Sequence, residues 1–113
     1  MKVSFEGIGE QVLSFNKASG VEKGSLVKMS ANDTVTKCAA GNNFAGVCIH
    51  ADDDFADVKT SGYVELGYTD TAPTVGFAKL TASDDKKVKT ATTGREYLVI
   101  KVDTTAAVVG FIM

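Results

Sequence analysis

The chain has 113 residues, a formal net charge of −2, 44% hydrophobic residues, eleven glycines and one proline. That length fits a single domain over residues 1–113, with enough apolar side chains for a core that needs no staples. The weakly acidic balance excludes a nucleic-acid partner, which calls for clustered Lys and Arg, and no run approaches the ~20 apolar residues that span a membrane.

From the N-terminus, Val3, Phe5 and Ile8 are apolar and sit among Gly7 and Gly9. Glycines loosen the chain, so residues 1–11 read either as the first strand of the domain or as an extended, flexible N-terminal arm. In the second reading Val3, Phe5 and Ile8 bind a partner by adding a strand to its sheet edge. The segment also carries Glu6 and Glu10 and lacks the continuous apolar stretch of a secretory signal, so synthesis in the cytoplasm is expected.

Short apolar runs then follow, broken by turn residues at hairpin spacing. They predict strands at Gln11–Phe15, Ser25–Ser30, Thr34–Ala39, Phe44–Ala51, Phe55–Thr60, Tyr63–Thr69, Phe77–Ala82, Lys87–Thr92, Glu96–Asp103 and Ala107–Met113. The expected fold is therefore all-β, a small barrel or sandwich of about ten short strands. One helical turn is allowed around Asn16–Gly20, and no window carries helical periodicity. In the ninth strand, alternation sets Leu98, Ile100 and Val102 on one face and Tyr97, Val99 and Lys101 on the other. The first of these faces is expected to enter the core. Core packing is likewise the expected role of most aromatics.

The chain also echoes itself. Lys28-Met29-Ser30-Ala31-Asn32-Asp33 resembles Lys79-Leu80-Thr81-Ala82-Ser83-Asp84, and Val35, Gly41, Phe44, Val47 and Ile49 match Val88, Gly94, Tyr97, Ile100 and Val102 at an offset of 53. The expectation is two pseudo-repeated halves about a pseudo-two-fold axis, each covering the apolar face of the other.

A catalytic site needs a nucleophile with a base and an orienting group, or a metal. His50 is the one histidine, in Ile49-His50-Ala51-Asp52-Asp53-Asp54. The run lacks the glycine and closing glutamate of an EF-hand, so Asp52, Asp53 and Asp54 are expected to be exposed turn residues without tight metal binding. Cys38 and Cys48 read as reduced core thiols, with a disulfide between them left open. Gly7-Ile8-Gly9 and Gly20-Val21-Glu22-Lys23-Gly24 are not followed by the Lys-Ser or Lys-Thr of a phosphate loop. No catalytic, metal or cofactor-binding residue is assigned, and the expectation is a protein that is not an enzyme.

The arrangement Gly24-Ser25-Leu26-Val27-Lys28, then Ala39-x-Gly41-x-x-Phe44-x-Gly46-Val47, then Ala56-x-Val58-x-x-x-Gly62-Tyr63-Val64 resembles the capsid decoration, or cement, proteins of tailed phages and prophages. Ala72-Pro73-Thr74-Val75-Gly76 and Gly94-Arg95-Glu96-Tyr97-Leu98-Val99 fit the same pattern, so the resemblance runs from about residue 10 to residue 113. It implies a structural protein of the virion surface that binds the phage major capsid protein and stabilises the shell, with a homotrimer as the expected bound state. Many weak copies on a lattice gain strength by multivalency. The alternative is a small protein- or carbohydrate-binding β module of a phage or cell-surface structure.

Overall fold

A computed structural model describes residues 9–113. They form ten strands: β1 (Gln11–Lys17), β2 (Leu26–Ala31), β3 (Thr34–Lys37), β4 (Gly46–Ala51), β5 (Phe55–Ser61), β6 (Tyr63–Tyr68), β7 (Gly76–Ala82), β8 (Lys87–Thr90), β9 (Arg95–Asp103) and β10 (Val108–Ile112). The all-β expectation holds, and each predicted strand has its counterpart. The helical turn that the sequence allows around Asn16–Gly20 is not formed, because β1 runs on to Lys17 and pairs with both β3 and β5.

The strands close into two small barrels, ordered β1-β3-β2-β4-β5 and β10-β6-β8-β7-β9. The two orders are one topology. In each half the first and third strands pair in parallel, Lys17 opposite Val35 and Tyr68 opposite Val88, and the remaining ladders are antiparallel. Closure removes the sheet edges on which strands aggregate. The backbone ladders set the true correspondence between halves. Met29 faces Val35 and Ala82 faces Val88, so Lys28 corresponds to Thr81 rather than to Lys79. Cys48 faces Val58 and Val99 faces Phe111, so Cys48 corresponds to Val99, and Val47 to Leu98 rather than to Ile100. The repeat is present and Val35 does match Val88, but the match of the Lys28 segment and those of Phe44, Val47 and Ile49 are each displaced by two residues.

The predicted core face of β9 is also corrected. Tyr97 and Val99 are buried, whereas Leu98 is exposed and Ile100 half-buried. A β-bulge explains the reversal. Phe111 faces Val99 and Gly110 faces Lys101, so Ile100 is an extra residue and the alternation resets beyond it. Ile49 is the corresponding extra residue in β4, between Cys48 opposite Val58 and His50 opposite Asp57.

Two clusters form the core. Val21, Val27, Val35, Cys48, Ala56 and Val58 fill the first barrel, with Phe15 packed against them. The second barrel holds Val64, Leu80, Ala82, Val88, Tyr97, Val99, Val109 and Phe111, and its cluster also takes Leu26, Cys38, Phe44 and Val47 from the first half. The segment 38–45, between β3 and β4, carries Phe44 into this cluster. Its ring stacks on Tyr97 at 5.3 Å between centroids and is tilted against Phe111 at 6.2 Å. Such aromatic pairs contribute about 0.5–1.5 kcal/mol each beyond the area they bury. Backbone bonds fasten the same segment. The Gly41 amide donates to the Ala82 carbonyl (2.8 Å) and the Ala82 amide to the Asn42 carbonyl (2.9 Å), while the Leu26 amide donates to the Asp85 carbonyl (2.7 Å).

The joint is therefore unequal. A two-fold relation buries the same face of both halves, but Leu26 and Val47 of the first barrel are buried at the joint while Phe77 and Leu98, in the corresponding cross-strand row, are exposed. The expected mutual covering gives way to a head-to-tail contact, in which the outer β2/β4 face and the 38–45 segment of the first barrel seal the second.

Candidate functional site

Residues directly opposite in antiparallel strands project from the same face of a sheet. On the second barrel Phe77 faces Leu98, Leu98 faces Ile112, and Ile112 faces Tyr63. This row lies on the outside, because its neighbours Val64, Val99 and Phe111 point inward. Phe77 is 72% exposed and Leu98 40%, with Val75 exposed just before β7 begins. One step along the same outer face Lys79 stands opposite Glu96, both exposed. Across the row Tyr63 is buried, its ring lying over Gly110 where a side chain would otherwise stand, and its hydroxyl donates to Glu65 (3.1 Å). Glu65 also pairs with Lys101 at 3.5 Å. One end of the row is thus capped by its own residues and the other is bare.

An open groove of about 370 Å³ adjoins the bare end, lined by Thr74, Phe77, Ala78, Lys79, Thr90, Ala91 and Thr92. The Thr90 hydroxyl donates to the Thr71 carbonyl (3.4 Å) and the Ala91 amide to the Lys79 carbonyl (3.1 Å), which fixes the floor of the groove.

Most of the described aromatics are buried or half-buried, and the exceptions are Phe77 and Phe55, both exposed. Spacing carried a usable signal for Phe77. It lies two residues from Lys79 on one strand, so an exposed lysine places the phenyl ring outside as well.

His50 and Asp52, Asp53 and Asp54 are exposed. The Asp52 carboxylate accepts the amides of Asp54 (2.9 Å) and Phe55 (2.8 Å), and these bonds hold it below its ordinary pKa. The Asp84 and Asp103 carboxylates perform the same turn-closing task, accepting the amides of Lys86 and Lys87 and of Thr105 and Ala106. Among the described residues no three His, Cys, Asp or Glu side chains gather as a metal site.

Cys38 and Cys48 are free, buried thiols in different clusters, so the disulfide left open by the sequence is not made. Burial pushes the Cys38 thiol up to about 11 and raises that of Cys48, leaving both poor nucleophiles.

Val3, Phe5 and Ile8 lie outside the described residues. The boundary of the expected arm moves, because Gln11 is the first residue of β1, and Gly9 and Glu10 are tied to the barrel. The Ser61 hydroxyl donates to the Gly9 carbonyl (2.9 Å), and Lys59 pairs with Glu10 at 2.8 Å.

Comparison with protein-family models, with curated proteins and with solved structures finds no match.

Proposed function

We propose that the chain is a non-enzymatic structural protein that binds an assembled phage shell, in the manner of the decoration proteins its sequence resembles. The observation that carries this reading is the exposed apolar surface on both barrels: Val12, Leu13, Met29, Ile49 and Phe55 on the first, and Val75, Phe77 and Leu98 on the second. So much large apolar side chain in water suits a protein that works when assembled with others. The turn-closing roles of Asp52, Asp84 and Asp103 fit the same reading, since these carboxylates hold hairpins in shape. The partner is the major capsid protein, the place of action is the virion surface, and a homotrimer is the bound state. Residues 1–8, with Val3, Phe5 and Ile8, add contacts to the shell or to a sister subunit.

The test mixes purified protein with expanded capsids that lack it, followed by co-sedimentation and heating. Binding with increased heat resistance supports the proposal. Protein left in the supernatant at saturation, with capsids no more stable than before, contradicts it. Deleting residues 1–8 should weaken binding, and full binding by that variant discards the arm while keeping the function.

The groove favours a second reading. Phe77 beside Thr74, Thr90 and Thr92 offers an apolar surface with hydroxyls, which suits a sugar ring. Glycan binding lost in Phe77→Ala, with no binding to capsids, would select this reading.

A further inference from the structure

We infer that the outer face of β7 and β9 docks a second copy of this chain, head to tail, against the mouth of its first barrel at Leu13. This rests on the internal joint and is independent of the shell reading.

The joint consists of two surfaces. One is the outer β2/β4 face of the first barrel, where Leu26 is fully buried and Val47 8% exposed. The other is the mouth of the second barrel, where Val64 is also 8% exposed and shares a cluster with Phe44, Tyr97 and Phe111. Because the halves share one topology, each surface has a counterpart elsewhere. The counterpart of the covering face is the outer β7/β9 face, since Val47 corresponds to Leu98; Leu98 faces Phe77, and the residue that matches Leu26 in the β7 register is the neighbouring Lys79. Leu13 corresponds to Val64, each opposite its inward partner on the neighbouring strand, Val58 or Phe111.

Both counterparts expose large apolar side chains. Phe77 is 72% exposed, against complete burial of Leu26, and Leu13 is 42% exposed, against 8% for Val64. The molecule has thus used one covering face and one mouth on each other and retains the second of each. A contact between unlike surfaces leaves such a pair free at its ends, and the free pair of one molecule matches that of the next. Repetition closes into a ring if the rotation per step allows it and otherwise grows as a chain. The docked face need not copy the joint in detail. The loop after β8 spans residues 91–94, against 38–45 after β3, so no second Phe44 is inserted. Lys79 and Glu96 border the face as a charged rim that fixes orientation.

Sedimentation equilibrium on the full chain, from about 1 to about 200 µM, the range where modest interfaces assemble, should show mass rising with concentration. Phe77→Asp and Leu13→Asp should each sediment as monomers. Mixed in equal amounts they should form a dimer and nothing larger, because each retains the surface the other has lost. A wild type that stays monomeric throughout overturns the inference, whether the face is idle or the chain's own first residues cover Leu13. So does assembly of Leu13→Asp at wild-type strength, which marks a like-with-like contact of the β7/β9 face. Circular dichroism controls for folding, and Leu98→Lys with Leu13→Ser forms a second pair under the same criteria.

Discussion

At three matched core positions the first barrel carries the smaller side chain, Val27 against Leu80, Gly46 against Tyr97 and Val58 against Phe111, whereas on its first strand Leu13 stands against Val64 and Phe15 against Leu66. The first barrel fills itself from its own strands and from Val21 in the loop between β1 and β2. The second, with larger residues at those three positions, extends its core to the mouth and is completed by Phe44 from the other half. One ladder pattern therefore supports two kinds of core, a self-contained one and one that depends on a neighbour. The difference lies in inward residue volume and in the length of a single loop.

The strongest way to break this comparison is to remove the shared ring. Phe44→Ala should cost about 3–5 kcal/mol, the usual range for a buried phenylalanine that leaves a cavity. Phe55→Ala, on the exposed face of the first barrel, should stay within about 0.5 kcal/mol. Urea unfolding of the two variants checks the contrast.

Two glycines sharpen it further. A Cβ at Gly46 runs into the Lys59 carbonyl and the Val58 side chain, whereas at Gly110 it meets the end of the Tyr63 ring. Backbone cannot yield as a side chain can. Gly46→Ala should cost about 1–3 kcal/mol by overpacking, and Gly110→Ala less, with the Tyr63–Glu65 bond lost. Denaturant midpoints measure both.

The thiols probe the joint against the first barrel. Because Cys38 is raised from about 9 to about 11, the native state holds its proton longer than the unfolded chain does. Its contribution is therefore complete below pH 9 and lost as pH rises through about 11. Cys38→Ala should flatten the alkaline loss of stability across that window. Phe44→Ala should speed labelling of Cys38 more than that of Cys48, read by a thiol reagent.

The smallest effect is expected at the acidic turn. Asp52 is lowered by the amides of Phe55 and Asp54, so its contribution is present above the ordinary carboxylate pKa and lost as pH falls through the lowered value. Asp52→Ala should be slightly less stable than wild type at neutral pH and should converge with it in acid, followed by circular dichroism.

The strands were legible because Gly, Asn and Asp punctuate them and because apolar runs between turns were too short for helices. Asp52 and Asp84 were readable as turn closers for the same local reason. Non-local facts were hidden. The bulges at Ile49 and Ile100 reverse a face without changing composition, which misdirected the reading of Leu98 and Val99. The repeat was visible, but its two-residue displacement depends on ladder register. Phe44 looked like a strand residue, since nothing in its neighbours says that its ring belongs to the other barrel. Phe77 is an exception to the usual burial of aromatics, and Lys79 two residues on is the local sign of it.

The dependence of the second barrel on the first is tested most directly by native-state hydrogen exchange, resolved by strand, on Phe44→Ala beside wild type. Amides of β6, β7, β9 and β10 should lose protection well before those of β1, β4 and β5. Equal loss across both barrels, or loss confined to the first, would contradict the account.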